Sequence, residues 1–515
     1  MTAGLAVTAF AAGVDSIDEA RLKADLTFLA SPAMEGRLSL RKGSEVAIEW
    51  IAAEFAKAGL KPANGGSYLQ PVPLIEYTTD REASHLEIVR GGLRKRFAAP
   101  DVNIGFPDDV SASGGVVFAG FGVTAPEYNY DDYAGIDAHG KVVLIFDHEP
   151  QEGDAASVFK GKGNTRHAGT FVKTRNAQDH GAVAVLLLPE PNRKHPSNEE
   201  RRARTVGAAQ RMRIAPQALG ESQLRIPLLT INDKIAAELM EGVSLKALQE
   251  QIDSNLKPAS RALKASVNLK IVNSERKRGV SQNVIGWIEG SDPALKNETI
   301  VFSAHYDHDG HALNGIYAGA DDNGSGTVGV IELARAFASS KAKPKRSLLF
   351  AVFAAEERGL LGSYHYVAHP LRPLEGTRAV INFDMIGRNE QQSDQTRGLI
   401  EIAADTSNEM NLVGANYSPD YRAAVEHANG QVGLRLSYKW DEEAALNVFF
   451  RSDQYPFALK GIPAMWWFTG FHPDYHQITD TADRINYAKM AKILRLAYLT
   501  ALDFAETSKP PKFVP

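Results

Sequence analysis

TIVFSAHYD (299–307), SLLFAVFAA (347–355) and RAVINFDMI (378–386) are near-continuous apolar runs, and with NVIGWIEG (283–290) they set the architecture of the last third of the chain. Runs of this length without polar alternation are expected for strands buried on both faces. GTVGVIELARAFAS (326–339) supplies a helix between two of them. Alternating strands and helices predict an α/β fold: a mixed, mostly parallel sheet flanked by helices.

In open sheets of this kind, active sites form at the carboxyl ends of the strands. His305 in SAHYDHDG, Glu356 and Glu357 in FAAEERGLLGS, and Asp384 in INFDMIGR fall at or just past such ends. Asp322 lies in GADDNGSG, a turn in which Gly319, Gly324 and Gly326 let the backbone fold tightly before the helix. His476 lies in HPDYHQITDT.

Two imidazoles and three carboxylates are a donor set for zinc, with cobalt or manganese as substitutes. Five residues exceed what one catalytic zinc takes, whereas a carboxylate shared by two ions uses them all. Asp322, with its short stiff side chain, is the natural bridge. His305 with Asp384, and Glu357 with His476, are then the flanking pairs. Asp307 is placed to accept the remaining N–H of His305. Glu356 is expected not to ligate but to act as general base. DDNGSG is no calcium loop, because it lacks the regular oxygen ligands and the terminal glutamate.

The other residues near these motifs carry weaker claims. His308, His311 and His472 read as pocket walls or solvent-facing residues, and Asp321 as a helix-start or structural residue. Arg388 reads as a contact to a substrate carboxylate or an ion-pair partner. Trp466, Trp467 and Phe468 read as core mixed with pocket wall.

At 515 residues the chain is long enough for two domains. A net charge of -5 and scattered basic residues give no support for nucleic-acid binding. The cluster Arg201, Arg202 and Arg204 follows Glu199 and Glu200 and reads as a solvated loop. With no cysteine, disulfides, thiolate ligands and a cysteine nucleophile are excluded. MTAGLAVTAFAAGVDS reads as the truncated end of a signal peptide, with export to the periplasm or outside the cell expected, or as a disordered start, which leaves the cytoplasm open. No run is long enough to span a bilayer.

Toward the N-terminus, Ser16 to Glu19 has capping-box form before Leu22, Leu26 and Leu29. A second helix is expected from Ser44 to Ala58, burying Trp50, Ile51 and Phe55. Residues 86–271 read as short strands and loops. GGVVFAGFGV (114–123), GKVVLIFDHE (140–149), GAVAVLLLPE (181–190) and RIPLLTIN (225–232) are strands, and Asn192 to Arg213 is a surface loop. No metal-ligand spacing is expected in this region.

The series AHYDHDG, GADDNGSG, AAEERGLLGS, NFDMIGR, GIPAMWWFTG and DYHQITDTADRI resembles the M28 family of zinc metallopeptidases, in order and approximate spacing. The resemblance implies a zinc-peptidase fold of the phosphorylase/hydrolase-like kind and a co-catalytic pair of zinc ions. It makes Asp322 the bridge, His305 with Asp384 and Glu357 with His476 the flanking pairs, Glu356 the base, and Tyr475 a hydroxyl near the oxyanion. APEYNYDDYAGIDAHGKVVLIFDHEP (125–150) resembles a protease-associated (PA) domain, and MEGRLSLRKGSEVAIEWIAAEFAKAGLKP (34–62) the opening of such peptidases. The implied layout is 15–85 for the first part of the peptidase domain, 86–271 for a mainly-β PA insert, and 272–508 for the metal-bearing part. Gln454 in RSDQYPF departs from the histidine common there and bears on substrate contacts.

The expected activity is that of an aminopeptidase acting on peptides. A carboxypeptidase or dipeptidase would share the metals and require an arginine cluster for the substrate carboxylate. A glutaminyl cyclase would keep one zinc, and a non-catalytic receptor with a PA domain would have lost ligands. The oligomeric state is not legible.

Overall fold

The computed structural model describes residues 13–515 apart from 162, 189, 193–213, 341 and 397. The N-terminal apolar stretch up to residue 12 and nearly all of the 192–213 loop lie outside the described residues.

The strands Ser347–Phe353, Thr299–His305, Thr377–Phe383 and Ala464–Phe468 stand side by side, each pair parallel. Every residue of the first two is buried, as their unbroken apolar runs require. Ile300, Phe302 and Ala304 face a core shared with Val328 and Ile331 of the helix Gly326–Ser339 and Leu494 of the helix Tyr487–Glu506. Val301, between them, joins Phe353, Tyr366 and Phe457 on the opposite face. Period-two alternation thus fills two layers of helices with one strand.

Around this parallel centre the sheet turns antiparallel, giving ten strands of mixed sense. Asn273–Ile288 and Leu69–Thr79 extend one side, and Glu409–Val413 pairs antiparallel with Ala464–Phe468 on the other. An α/β fold with a mixed sheet and flanking helices is therefore what the chain forms.

A second, eight-stranded sheet is built from residues between 85 and 271. Its inner strands Val142–Phe146 and Ala184–Leu188 are buried throughout and pack with Leu86, Val267 and Leu269 in a core of their own. One expectation for this region is corrected. It is not strands and loops alone, because it carries the helices Thr170–Asp179, Asp233–Met240 and Leu245–Asn255. The last two are started by Asn232 and Ser244, whose side chains accept from Ile235 and Ala247 N–H, and they bury Ile235 with Leu239 and Leu248 with Ile252 at helical spacing. Within the same stretch of chain, Gln217–Leu219 pairs with Leu69–Thr79 on the larger sheet.

The first helix runs Glu19–Leu29 and is capped by Asp18, which accepts from Arg21 N–H at 2.7 Å. Ser16 does not cap it, since its hydroxyl donates to Gly13 O instead. The next helix, Lys42–Lys57, begins two residues before the expected Ser44 and buries Ile51 and Phe55. No helix among the described residues is long and apolar enough to cross a membrane.

Candidate metal centre

Parallel strands put the candidate side chains on one edge. His305 is the last residue of Thr299–His305, Asp384 follows Thr377–Phe383, and Glu356 and Glu357 open a tight turn after Ser347–Phe353. Asp322 comes from the turn Ala320–Ser325, and His476 from the loop beyond Ala464–Phe468. All six are inside the protein or nearly so, with Glu356 the most accessible of the buried ones at 8%.

Asp322 faces two ways. Its Oδ1 lies 3.5 Å from His305 Nε2, and its Oδ2 lies 3.1 Å from His476 Nε2. Asp384 Oδ2 is 3.7 Å from His305 Nε2, and Glu357 Oε2 is 3.5 Å from His476 Nε2. Two donor groups result, His305–Asp322–Asp384 and His308–Asp322–Glu357–His476, with Asp322 in both. Donors on one tetrahedral ion with bonds of about 2.0–2.2 Å stand roughly 3.3–3.5 Å apart. These separations fit that spacing. His305 Nε2 is buried without a hydrogen-bond partner among the described residues, as a lone pair kept for a metal would be.

The charge balance points the same way. Burial works to keep His305 neutral, yet Glu356 and Asp384 hold its proton affinity well above that of an ordinary imidazole. Burial pushes the Glu356 carboxyl well up, and Asp384, Asp453 and Glu357 add to the rise while His305 opposes it. This many buried carboxylates need cations close by.

Part of that charge is met by Arg37, which is fully buried. Its guanidinium donates to Tyr306 O at 2.6 Å, Leu29 O at 2.8 Å, Ala318 O at 2.7 Å and Gly319 O at 2.8 Å. It thereby ties the segment after His305 to the turn before Asp322.

Asp307 stands beside His305 Nδ1. His305 Nδ1 has its closer partner in the Asp307 carbonyl at 3.1 Å, with the carboxylate at 3.7 Å. The carboxylate also accepts the N–H groups of Glu356 and Glu357 at 3.0 and 3.3 Å, fixing the turn that presents both. Asp309 supplies for His476 what was expected of Asp307: its Oδ2 lies 2.8 Å from His476 Nδ1, and Arg358 holds its other oxygen at 2.6 Å. Asp384 receives the Ser452 hydroxyl at 2.6 Å, while Trp466 Nε1 donates to its carbonyl at 2.8 Å.

Tyr475 packs edge-on against His476 with ring centroids 4.0 Å apart, and its hydroxyl oxygen accepts from Arg451 at 3.1 Å. Arg388 pairs with Asp474 at 2.6 Å, so the ion-pair alternative describes it. Gln454 is buried and donates to Phe449 O at 2.7 Å, which removes it from substrate contact. Asp321 accepts from Gly387 N–H at 2.6 Å and lies 3.2 Å from His472 Nε2, a buried structural pair. His311 is exposed, whereas His308 is neither a wall nor exposed but belongs to a donor group.

A third group, His148, Glu152 and Glu190, corrects the expectation that no ligand spacing occurs between 86 and 271. Pairing of Val142–Phe146 with Ala184–Leu188 brings Glu190 to the loop after Phe146, a contact no local spacing reveals. The Lys173 ammonium, bonded to the His148 carbonyl and to Phe146 O, already shares the charge there.

An α/β sheet with acid and histidine donors gathered at its carboxyl edge defines the metallohydrolase class. Residues 283–501 match the model of Peptidase family M28. The aminopeptidase YwaD of Bacillus subtilis is 27% identical over 418 residues, covering 78% of this chain and 72% of the relative. The probable lipoprotein aminopeptidase LpqL of Mycobacterium tuberculosis is 25% identical, covering 60% of this chain and 55% of that protein. Among solved structures, an aminopeptidase from Aneurinibacillus sp. strain AM-1 aligns over 97% of this chain and 96% of its own, with TM-score 0.49 and 20% identity.

Proposed function

We propose that the protein is a zinc aminopeptidase that releases N-terminal residues from peptides, with two zinc ions per chain. The observation that carries this is Asp322, whose two oxygens face two separate donor groups, with Glu356 alongside at 3.7 Å from His305 Nε2. The names of the sequence relatives support the amino-terminal direction.

When bound, the ions would polarise the scissile carbonyl and acidify the attacking water. The chain's own residues do the rest. Glu356, kept basic by burial, takes the proton from the water and passes it to the leaving amine. The Tyr475 hydroxyl donates to the carbonyl oxygen as charge develops on it. A cleft of 480 Å³ beside the Glu356–Glu357 turn holds the peptide, between Leu360, Tyr364, Phe450 and Arg451 of the peptidase part and Thr170 and Phe171 of the eight-stranded unit. That unit is read as a PA-type insert on its 125–150 stretch, walling the cleft from above. Export is inferred from the lipoprotein aminopeptidase among the relatives.

Mass spectrometry of a mixed peptide pool, incubated with the zinc-loaded protein and with Glu356→Gln, tests this. N-terminal ladders seen only with the unaltered protein are expected, with metal content equal in both. Arg451 lines the cleft, so trimming from the C-terminus is the rival outcome and would replace the substrate class. Full activity in Glu356→Gln would remove it as the base.

A further inference from the structure

We propose that His308 is the positioning residue for Glu357: its Nδ1–H holds one carboxylate oxygen so that only the other is offered to a metal. This rests on reading Glu357 and His476 as metal ligands. His308 shares a donor group with Asp322, Glu357 and His476, which by composition could be four ligands. The distances separate them. His476 Nε2 stands 3.1 Å from Asp322 Oδ2 and 3.5 Å from Glu357 Oε2, near the roughly 3.3–3.5 Å expected between donors on one zinc. His308 Nδ1 stands 2.6 Å from Glu357 Oε1 and 4.0 Å from Asp322 Oδ2. The first is too close for two ligands and suits a charge-assisted hydrogen bond; the second is too far. Three donors therefore face a common point, and the His308 imidazole stands behind one of them.

The ring is held in that role. Its Nε2 is buried with no hydrogen-bond partner among the described residues, which leaves Nδ1 as the nitrogen that carries the proton. Gly319, at φ +54°, lies against it, and a Cβ there would sit 2.5 Å from His308 Cγ. The His476 ring is 5.3 Å away on another side. His308 also completes a pattern along consecutive residues. Asp307 accepts the Glu357 amide at 3.3 Å, His308 holds the Glu357 carboxylate, and Asp309 holds His476 Nδ1 at 2.8 Å. One tripeptide backs Glu357 and His476, the two donors of the second position other than Asp322.

The test measures zinc stoichiometry and dissociation constants by chelator competition in His308→Ala, His308→Asn and His308→Gln, with circular dichroism to confirm folding. The asparagine amide overlays Nδ1–H, and the glutamine amide overlays Nε2. Loss of an outer partner typically weakens metal binding about 10–100-fold. His308→Ala and His308→Gln are expected to hold one zinc with unchanged affinity and the second about 10–100-fold more weakly, and His308→Asn to restore it. The asparagine and glutamine variants carry the comparison if the alanine variant does not fold. Loss of the second ion in His308→Asn would make the imidazole itself a ligand and overturn the proposal. So would two tightly held ions in His308→Gln. Fewer than two zinc ions in the unaltered protein would instead refute the two-metal reading on which the proposal stands.

Discussion

His476 is held from both ends: Nδ1 meets Asp309 Oδ2 at 2.8 Å, and Nε2 faces Asp322 Oδ2 at 3.1 Å. Asp309 thus selects the tautomer that leaves Nε2 as the donor toward the metal position. It is itself buried and anchored by Arg358 at 2.6 Å.

With His476 as the proposed ligand, removing that support is expected to weaken metal binding without touching a ligand. Asp309→Ala is expected to raise the zinc dissociation constant at the His476 position about 10–100-fold. Asp309→Asn, which still accepts from Nδ1, is expected to lose less. Competition against a chromophoric chelator reads both values, and unchanged affinity in the alanine variant would remove Asp309 from this role.

Arg37 is a folding residue as much as an electrostatic one. Burial lowers its proton affinity to about 10, against the pull of Asp307, Asp480, Asp322 and Glu357, so it remains charged at neutral pH. Arg37→Met leaves four buried carbonyls without their donor and the acidic cluster without its cation. A loss of about 3–5 kcal/mol is expected, seen as a lower thermal midpoint and weaker zinc retention. Arg37→Lys cannot span the four carbonyls with one ammonium and is expected to fall between. A midpoint within a degree or so of the unaltered protein would show that water replaces the guanidinium without loss.

The strands and the donors were legible because both signals are local. An apolar run such as TIVFSAH declares a buried strand, and the residue at its end then faces the carboxyl edge whatever the rest of the chain does. The partners of those donors were not legible. Whether Asp307 or Asp309 reaches an imidazole depends on the path of the loop after His305. Arg37 carries no local signal of its task, which exists because carbonyls from residues 29, 306, 318 and 319 converge on it. Gln217–Leu219 joined the larger sheet through a pairing far along the chain, which no window of sequence contains. The helices opened by Asn232 and Ser244 had readable caps, obscured by the strand-rich context around them.

The eight-stranded unit carries its own pH-sensitive staple. Glu127 receives His167 Nε2 and Arg166 Nη2, each at 2.8 Å. Burial raises its carboxyl, but hydrogen bonds from His167, its own backbone and Arg166 outweigh this and lower it from 4.5 to about 2. Between those values the unfolded chain binds the proton and the folded one does not. The contribution is therefore complete above 4.5 and is lost as pH falls toward 2. Metal-free Glu127→Gln is expected to melt below the unaltered protein at about pH 6, with the gap shrinking by about pH 3. A gap independent of pH would mean that the staple does not depend on charge.

Tyr475 and Arg451 act as a unit. The Arg451 guanidinium donates to the phenol oxygen at 3.1 Å, which leaves the phenol hydrogen free to point at a substrate oxygen. Burial raises the Tyr475 phenol, so it keeps that hydrogen through the neutral range. Tyr475→Phe is expected to lower kcat about 100-fold with KM little changed, as when one donor to a developing oxyanion is removed. Arg451→Met frees the hydroxyl to rotate and is expected to cost part of the same factor. In the double variant the losses should fall well short of their product, because both remove one interaction. Fully multiplicative losses, or a loss confined to KM, would place Arg451 on the substrate rather than on the tyrosine.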